Sequence, residues 1–587
     1  MPEYHSPNQE PASSRMMLVI LFTFIFLIGF QFIYSKYGPK KPAEPAQQQS
    51  PQQQQAAATS APSVAASVAA TSAPAAIGTK QASSESQIVI ENGLYKITFS
   101  NRGAQVKSWI LKNYHNENGQ PLDLVNEKAA AQYGYPLSLF TYDQALKDKL
   151  NSALYVTNLQ GTQQAPTDIT FEYAEGSLSV RKTFHFDDSY VVGADIEVAQ
   201  NGSAVQAFPA WPAGFGDTNT PALYATSTID YDNGNSIDRL AIKKVSGGAT
   251  YRGPLAWAGP VDQYFAAIFL PDDPSNAALV TLHNTIQIPK NPEKPEANDV
   301  VSVSVLGGAV GNLDGHTRER IFIGPKALNV LSTIHPALVP GQTEATDLRR
   351  IVDFGWFSFI ARPLFAWLRW THVHMISNWG WAIVFLTVII NVALLPLRIT
   401  SMKSALKTQK VQPQINAIKE KYKKYSMRDP RRQEMNQEIA ALMKTEGVNP
   451  AGGCLPLLIQ MPFLFAFYRL LGNTIELRQA PFLYLKDLSA ADPTHIMPIL
   501  IILTTFVTQK MTPTGGMDPQ QQKMMNLMMP VMLGLISWNL SSGLCVYWIV
   551  SNIIAMLMQL GMNRTSMGQE MKQIAEKRAR KAALKKA

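Results

Sequence analysis

The residue types in this 587-residue chain that could do chemistry do not form a catalytic set. His372 and His374 are two residues apart, but no third ligand stands at a useful spacing, so we interpret them as anchors in an aromatic segment. The two cysteines, Cys454 and Cys545, lie in apolar stretches and offer neither a disulfide framework nor a Cys-based zinc site. Phosphate-loop, HExxH and GxSxG motifs are absent from the sequence. We therefore expect a protein that is not an enzyme and uses no metal and no cofactor.

Polar residues inside long apolar stretches say more about function than the histidines and cysteines do. Asn391, Gln460 and Arg469 stand in such stretches, as do several residues nearer the C-terminus, namely Asn526, Asn539, Asn552 and Gln559. An arginine in mid-bilayer costs ~2.5–3.5 kcal/mol on insertion scales, and ionisable groups there usually face a bundle interior or a wet cavity. Arg469 is therefore the first candidate for a functional charge. Because it lies near the end of its stretch, its side chain could instead reach the membrane surface.

Six apolar stretches are long enough to be membrane spans, one early and five late. Residues 16–34 contain no charge and reach roughly 28 Å as a helix, close to the ~30 Å hydrocarbon core. This stretch is longer than the apolar region of a signal peptide, so we expect a transmembrane anchor rather than a cleaved signal. The five late candidates are Trp379–Leu397, Leu455–Leu471, Ile496–Met511, Met524–Leu540 and Leu544–Met562.

Between the early and late spans the chain changes character twice. Residues 35–85 are rich in Pro, Ala, Gln and Ser, which is typical of a flexible linker. From 86 to 345 apolar and polar residues alternate in short runs, as in Leu178–Phe186, so we predict a β-sandwich domain. Residues 346–378 mix Trp and Phe with Arg, which predicts an interfacial amphipathic helix; a buried helix of a soluble domain is the alternative.

The net charge of +9 is concentrated in two segments. Residues 398–453 have 12 Lys and Arg against 5 Asp and Glu, and the tail 563–587 has 8 against 2. Because basic loops stay on the cytoplasmic side, we expect both segments and the N-terminus 1–15 to be cytoplasmic, and the 86–345 domain to lie outside.

Within 398–453, sparse apolar positions on either side of 426–430 predict a hairpin of two helices. Its cations could contact lipid headgroups or an RNA-rich partner such as a ribosome, and charge alone does not separate these possibilities. The cations that we select for this role are Lys419, Lys421, Lys423, Lys424, Arg431 and Arg432.

Three segments resemble signatures of the YidC/Oxa/Alb membrane protein insertases: VNPAGGCLPLLIQMPFLFAFYRLL (448–471), ELRQAPFLYLKDLSAADP (476–493) and SSGLCVYWIVSN (541–552). The similarity is continuous over about 378–563. The order of anchor, outer β-domain, interfacial helix and five-span core (379–562) resembles the Gram-negative members. This resemblance implies an inner-membrane protein that inserts nascent membrane proteins through a hydrophilic groove, alone or with the Sec translocon. The implied partners are nascent membrane proteins, the ribosome, Sec translocon components and membrane lipids.

The resemblance also implies which residues line the groove. They are Thr387, Asn391, Gln460, Phe463, Arg469, Met528, Tyr547 and Trp548. The family usually has an arginine where this sequence has Asn391, and an aromatic or apolar residue where it has Arg469. We therefore hypothesise that the groove charge is relocated to Arg469. Trp548 stands where a tyrosine is common, which leaves Tyr547 as the nearer phenol.

Two other interpretations stay open at this point. A transporter or lipid scramblase would also place polar residues inside a helix bundle, and it would show a flux that depends on Arg469. The β-domain by itself could be a carbohydrate enzyme, because the family's domain resembles sugar mutarotases. That reading needs a histidine and a carboxylate in one pocket, and the sequence offers no defensible grouping of this kind.

Overall fold

The computed structural model describes residues 78–290, 299–344, 346–425, 429–448, 455–511 and 519–566, with 568–570, 573–574 and 576–577. The predicted anchor at 16–34 and most of the linker lie outside these residues. The described residues form two compact units. We call the first the β-unit, which takes in Ser72–Phe365 and Ala466–Ala480, and the second the helical unit, which takes in Ala366–Phe465 and Pro481–Ala587.

Alternation of apolar and polar residues produces the strands of the β-unit, because one face of each strand is buried. In Leu178–Phe186, for example, every second side chain is buried, beginning with Leu178. The strands are β1 (Gln87–Glu91), β2 (Tyr95–Ser100), β3 (Gln105–His115), β4 (Pro121–Asp123), β5 (Ser138–Phe140), β6 (Val156–Thr157), β7 (Gly161–Gln164), β8 (Thr167–Glu175), β9 (Leu178–Phe186), β10 (Val191–Gln200), β11 (Ser203–Ala204), β12 (Phe208–Trp211), β13 (Thr228–Asp232), β14 (Ile237–Ala241), β15 (Thr250–Arg252), β16 (Trp257–Val261), β17 (Phe265–Pro271), β18 (Ala277–Pro289), β19 (Val300–Asn312) and β20 (His316–Pro325). Short helices connect some of them: α1 (Glu127–Tyr133), α2 (Gln144–Ser152), α3 (Pro221–Tyr224) and α4 (Leu328–Leu331).

These strands form three sheets, which are antiparallel except where β1 pairs with β7. The orders are β4-β3-β2-β1-β7, then β14-β13-β16-β17-β20-β10-β9-β8-β6 with β11 beside β10, and β15-β18-β19-β12-β5. Aromatic rings join them: Phe99 on β2 lies 5.6 Å from Phe171 and from Phe184 on the large sheet. Trp109 on β3 lies 6.2 Å from Trp211 on β12. A β-rich domain in this part of the chain is confirmed, and its core lies between packed sheets, whereas the β-sandwich architecture and the bounds 86–345 stay predictions.

The later helices are mostly apolar. They are α5 (Ser358–His374), α6 (Trp379–Ala393), α7 (Leu395–Lys421), α8 (Arg431–Thr445), α9 (Leu455–Asn473), α10 (Ile496–Met511), α11 (Pro519–Ser537) and α12 (Ser542–Asn563). The sequence predicts a span over Trp379–Leu397, and in the structure α6 and α7 meet within it at a bend of 48°. Pro396 explains the break, because its ring nitrogen has no hydrogen to donate to the carbonyl four residues before it.

Among the described helices, α12 is long and apolar enough to cross a membrane, and the bent pair α6 and α7 would count as a second span if taken together. Helix α10 and the Met524–Ser537 part of α11 are apolar but shorter. The number of six spans therefore stays a prediction.

The basic segment forms the predicted two-helix hairpin, which consists of α7 and α8. Its first helix begins earlier than expected, at Leu395. Val411 and Ile415 of α7 pack with Val448, and Ile439 and Leu442 of α8 pack against this group. Apolar contacts between the two helices therefore hold a hairpin whose other faces are charged.

Aromatic side chains are exposed along α5. Phe359, Trp367 and Trp370 are each more than half exposed, at 69%, 58% and 54%. Spacings of eight and three residues place them on one face of a helix. This is the pattern that an interfacial helix requires, since Trp and Phe rings are stable at the headgroup level.

Candidate functional site

Asn391 stands at the centre of a group of buried polar side chains in the helical unit. It is 3% exposed on α6. Its side-chain nitrogen donates to the Thr387 carbonyl oxygen at 2.8 Å and to Ser551 Oγ of α12 at 3.4 Å. Its side-chain oxygen accepts a hydrogen bond from Arg398 Nη2 of α7 at 3.1 Å. One amide side chain therefore links three helices.

Arg398 reaches Asn391 because of the local helix geometry. Residues seven apart lie on the same face of a helix. The 48° bend between α6 and α7 falls between these two residues. Sequence reasoning missed Arg398 because it counted this residue as the first cation of the basic hairpin, although its seven-residue spacing from Asn391 could have identified it.

Tyr547 extends the group to a fourth helix. This residue is 2% exposed on α12. Its side chain hydrogen-bonds to Ser551 and to Gln460 of α9, and it interacts electrostatically with Arg398. We call the whole group the polar cluster; its members are Thr387, Asn391, Arg398, Gln460, Tyr547 and Ser551.

A second set of polar contacts joins α10 to α12. Asn552 Nδ2 donates to Thr504 Oγ1 at 3.1 Å and to Thr505 Oγ1 at 3.0 Å. Buried polar groups are costly when they lack a partner. These hydrogen bonds therefore allow α12 to carry a second amide on a face packed against α10.

The remaining residues predicted for the groove are placed differently. Phe463 and Trp548 are half-buried, and Met528 of α11 is 41% exposed. Arg469 is exposed, belongs to the β-unit and lies beside Gly355, where an added Cβ would be 3.4 Å from Arg469 Nε. Among the described contacts, the arginine that reaches Asn391 is Arg398, and the relocation of the groove charge to Arg469 stays a prediction.

The loop 481–495 is fixed by Asp492, which is 2% exposed. Its carboxylate accepts hydrogen bonds from the Tyr484 hydroxyl at 2.8 Å, from Thr494 N at 2.9 Å and from Met497 N at 2.8 Å. Met497 lies in the first turn of α10, so Asp492 caps this helix with a negative charge at its positive end.

The same loop also holds the beginnings of α6 and α12. The Asn378 side chain donates to the Pro481 carbonyl oxygen at 3.0 Å, and the Phe482 ring meets Trp381 edge-on at 5.4 Å between ring centroids. Ser542 donates to the Ala490 carbonyl oxygen from its backbone nitrogen at 2.7 Å and from Oγ at 2.8 Å. Three helices therefore start from one fixed loop.

Several cations of the hairpin have partners within it. Lys421 pairs with Glu438 at 3.1 Å, Lys423 with Glu420 at 3.4 Å and Arg431 with Asp429 at 2.9 Å. Arg432 donates to the Tyr425 carbonyl oxygen at 3.1 Å. Lys419 and Lys424 are exposed, and Lys424 Nζ lies 5.2 Å from the centre of the Tyr425 ring.

One group in the β-unit has the composition of a metal site. Potential ligand atoms of Asp195, Glu197 and His316 lie within 4.8 Å of one another. His316 faces Glu197 across β10 and β20, and Arg318 faces Asp195 with its Nε 3.2 Å from Asp195 Oδ2. Ion pairs between the two strands explain why these charged side chains lie together, so we propose no metal site here.

Comparison with known proteins places both units in one family. Residues 87–367 match the family model of the YidC periplasmic domain, and residues 370–570 match that of the 60Kd inner membrane protein. The membrane protein insertase YidC of Geobacter sulfurreducens is 33% identical over 501 residues, which cover 80% of this chain and 85% of the relative. The membrane protein insertase YidC of Geobacter metallireducens is 30% identical over 584 residues, which cover 95% of this chain and 99% of the relative.

Solved structures of similar proteins include an active YidC insertase with its first transmembrane domain resolved. It is 19% identical, with a TM-score of 0.33, and the match covers 83% of this chain and 95% of that one. YidC from Thermotoga maritima is 14% identical, with a TM-score of 0.26 and coverage of 82% and 99%. The family expected from the three signature segments is confirmed by the sequence relatives: this chain belongs to the YidC family of membrane protein insertases.

Proposed function

We propose that this membrane protein insertase moves the polar part of a nascent chain past the polar cluster, and that Arg398 supplies the positive charge there. The observation that carries the proposal is the hydrogen bond from Arg398 Nη2 to Asn391 Oδ1, 3.1 Å long, inside a group of buried polar side chains. Where the family usually has an arginine, this chain would use an asparagine that holds an arginine from the next helix.

The physical task is to lower the barrier that hydrocarbon presents to polar groups. A polar group without a partner in the bilayer core costs several kcal/mol. The polar cluster offers amide, hydroxyl and guanidinium groups in place of water. The apolar segment of the same nascent chain gains ~25 cal/mol for each Å² that it buries, which can drive insertion without a nucleotide.

Charge distribution supports an orientation with the basic hairpin in the cytoplasm of a bacterium. Residues 398–453 carry 12 Lys and Arg against 5 Asp and Glu. One predicted span, Leu455–Leu471, separates this hairpin from the loop 481–495, so the loop would lie on the periplasmic side with the β-unit. We infer that the loop closes the outer end of the helical unit, since it ties the starts of three helices.

The distribution of charged and aromatic residues also bears on partners other than the nascent chain. The ribosome and the Sec translocon are proposed as partners, and membrane lipids would contact the exposed aromatic face of α5. Transport of small molecules or lipid scrambling finds no counterpart among the named relatives, all of which are membrane protein insertases.

The test measures insertion in cells depleted of their native insertase. The substrate is a single-span protein with a short acidic tail, and protease protection reports how much of the tail has crossed. We expect Arg398→Ala to slow insertion by about tenfold, because a hydrogen bond to a charged group contributes about 1.5–3 kcal/mol. Arg398→Lys should retain much of the activity.

Arg469→Ala is the matched control, since it removes the other arginine predicted for the groove. Its insertion rate should equal that of the wild-type protein. Normal insertion by Arg398→Ala together with loss in Arg469→Ala would contradict the proposal and assign the charge to Arg469.

A further inference from the structure

The segment Ala466–Ala480 belongs to the β-unit, although the residues before and after it belong to the helical unit. We call it the exit segment, since it contains the C-terminal part of α9 and the turn that follows. Five of its large apolar side chains are each at most 3% exposed, namely Phe467, Leu470, Leu471, Ile475 and Leu477, whereas Tyr468 is 42% exposed. The segment therefore has a largely buried apolar face.

Two hydrogen bonds join the end of α9 to other parts of the β-unit. Gln263, between β16 and β17, donates from Nε2 to the Gly472 carbonyl oxygen at 2.7 Å. Asn473 Nδ2 donates to the Asp353 carbonyl oxygen at 2.7 Å. Two hydrogen bonds therefore fix the last turn of the helix from different sides.

Arg478 and Gln479 bind the chain where β3 ends. Arg478 Nη1 donates to the His115 carbonyl oxygen at 2.8 Å. Gln479 Nε2 donates to the carbonyl oxygens of His115 at 3.0 Å and Asn116 at 3.1 Å. Gln479 has a φ of +57°, a backbone conformation that is uncommon for a residue other than glycine. Such a conformation persists where surrounding contacts hold it.

The Arg478 guanidinium also lies near aromatic and acidic groups of the β-unit. It is 5.9 Å from the Tyr264 ring centre and 5.7 Å from that of Phe265. It interacts favourably with the buried Asp217 carboxyl group. A planar cation with aromatic faces, a carbonyl and a carboxyl around it has a defined orientation.

We propose that Arg478 is a positioning residue for insertion: it fixes the exit segment, and with it the last turn of α9, in the β-unit. This helix is continuous from Leu455 to Asn473 and carries Gln460 of the polar cluster and Phe463. The proposal rests on the function proposed above.

The test compares Arg478→Ala, Arg478→Lys and a matched control in the full-length protein, with the same insertion assay. The control is Arg320→Ala, because Arg320 Nη2 also donates to a backbone carbonyl oxygen, that of His335, at 2.8 Å in the β-unit. We expect Arg478→Ala to insert at least fivefold more slowly than wild type. Arg478→Lys, which keeps a charged donor, should recover part of the rate, and Arg320→Ala should insert normally.

A covalent link then separates positioning from other roles. Asn116→Cys and Gln479→Cys are combined with Arg478→Ala in a background of Cys454→Ser and Cys545→Ser, and a short bismaleimide joins the new thiols. We expect the linked protein to insert at a rate within twofold of that of the same cysteine background carrying Arg478, since the link replaces the lost hydrogen bonds. A linked protein that stays as slow as the unlinked one would overturn the proposal.

The wild-type protein in parallel distinguishes the two proposals. Failure of wild type to insert the substrate would overturn the proposed function. Normal insertion by both wild type and Arg478→Ala would leave that function standing and overturn the positioning role alone.

Discussion

Lys182 and Arg398 show how single charged residues are held in buried surroundings. Lys182 is fully buried on β9, and its Nζ donates to the carbonyl oxygens of Gly103 at 3.1 Å, Ala104 at 2.7 Å and Leu137 at 2.7 Å. Three acceptors match the three hydrogens of an ammonium group. Arg398 is held less tightly, by one amide oxygen at 3.1 Å among the described contacts. The three hydrogen bonds of Lys182 therefore fix its side chain more firmly than the one hydrogen bond of Arg398 to Asn391.

Lys182 makes the stability of the β-unit depend on pH. Burial lowers the pKa of Lys182 from its ordinary value of 10.5 to about 7. The unfolded chain therefore binds more protons between these two values, so the free energy of unfolding rises with pH there. From pH 7 to pH 9 we expect a rise of about 2 kcal/mol from this residue. Lys182→Met should lack that rise.

Denaturant unfolding of the full-length protein in detergent, followed by tryptophan fluorescence at both pH values, measures the difference between wild type and Lys182→Met. An equal rise in both proteins would show that Lys182 does not titrate in this range.

At the scale of elements, close contacts of small residues fix how the helices start. Gly380 lies in the first turn of α6 against the buried Phe482 ring of the loop 481–495. A Cβ added at Gly380 would lie 2.1 Å from Phe482 Cδ2 and 2.6 Å from its Cβ. The aromatic side chain would have to move from its base, because its Cβ as well as a ring carbon is too close.

Gly380→Ala should therefore destabilise the helical unit by about 1–3 kcal/mol, the usual cost of overpacking. Gly561→Ala is the matched control, since an added Cβ meets nothing within 4 Å on α12 and alanine favours a helix. Thermal unfolding in detergent compares the two. A midpoint for Gly380→Ala that equals or exceeds that of Gly561→Ala would contradict the packing described here.

At the scale of the whole molecule, the positive charge is concentrated in two segments. The basic hairpin and the tail carry the excess that gives the chain its net charge of +9. In the hairpin, Lys421, Lys423 and Arg431 are engaged by acidic side chains, whereas Lys419 and Lys424 show no ion pair among the described residues. These two lysines are therefore the better candidates for an external acidic partner.

Charge reversal tests this choice of partner residues. Lys419→Glu combined with Lys424→Glu should weaken co-sedimentation with ribosomes at least threefold, and salt should weaken wild-type binding as well, since exposed charges are screened. Lys147→Glu on the β-unit is the control and should have no effect. Unchanged binding of the double variant would favour lipid headgroups as the partner of this surface.

Sequence patterns predict the structural features that depend on local periodicity. Alternation identified β9, including the inward position of Lys182, and sparse apolar residues identified the hairpin. The signature segments identified the family. Contacts between distant parts of the chain do not follow from local patterns: the inclusion of Ala466–Ala480 in the β-unit depends on residues hundreds of positions away, whereas the seven-residue spacing of Arg398 from Asn391 is visible in the sequence.

Site-specific photocrosslinking during translation measures whether a nascent chain passes the polar cluster. A photoreactive phenylalanine analogue replaces Phe463 or Trp548, both half-buried, during translation of a stalled substrate with a polar tail. The control position is Leu557 on α12, which is 62% exposed. We predict adducts to the polar tail from Phe463 and Trp548 and none from Leu557. Tail adducts from Leu557 alone, or from no position, would contradict the account.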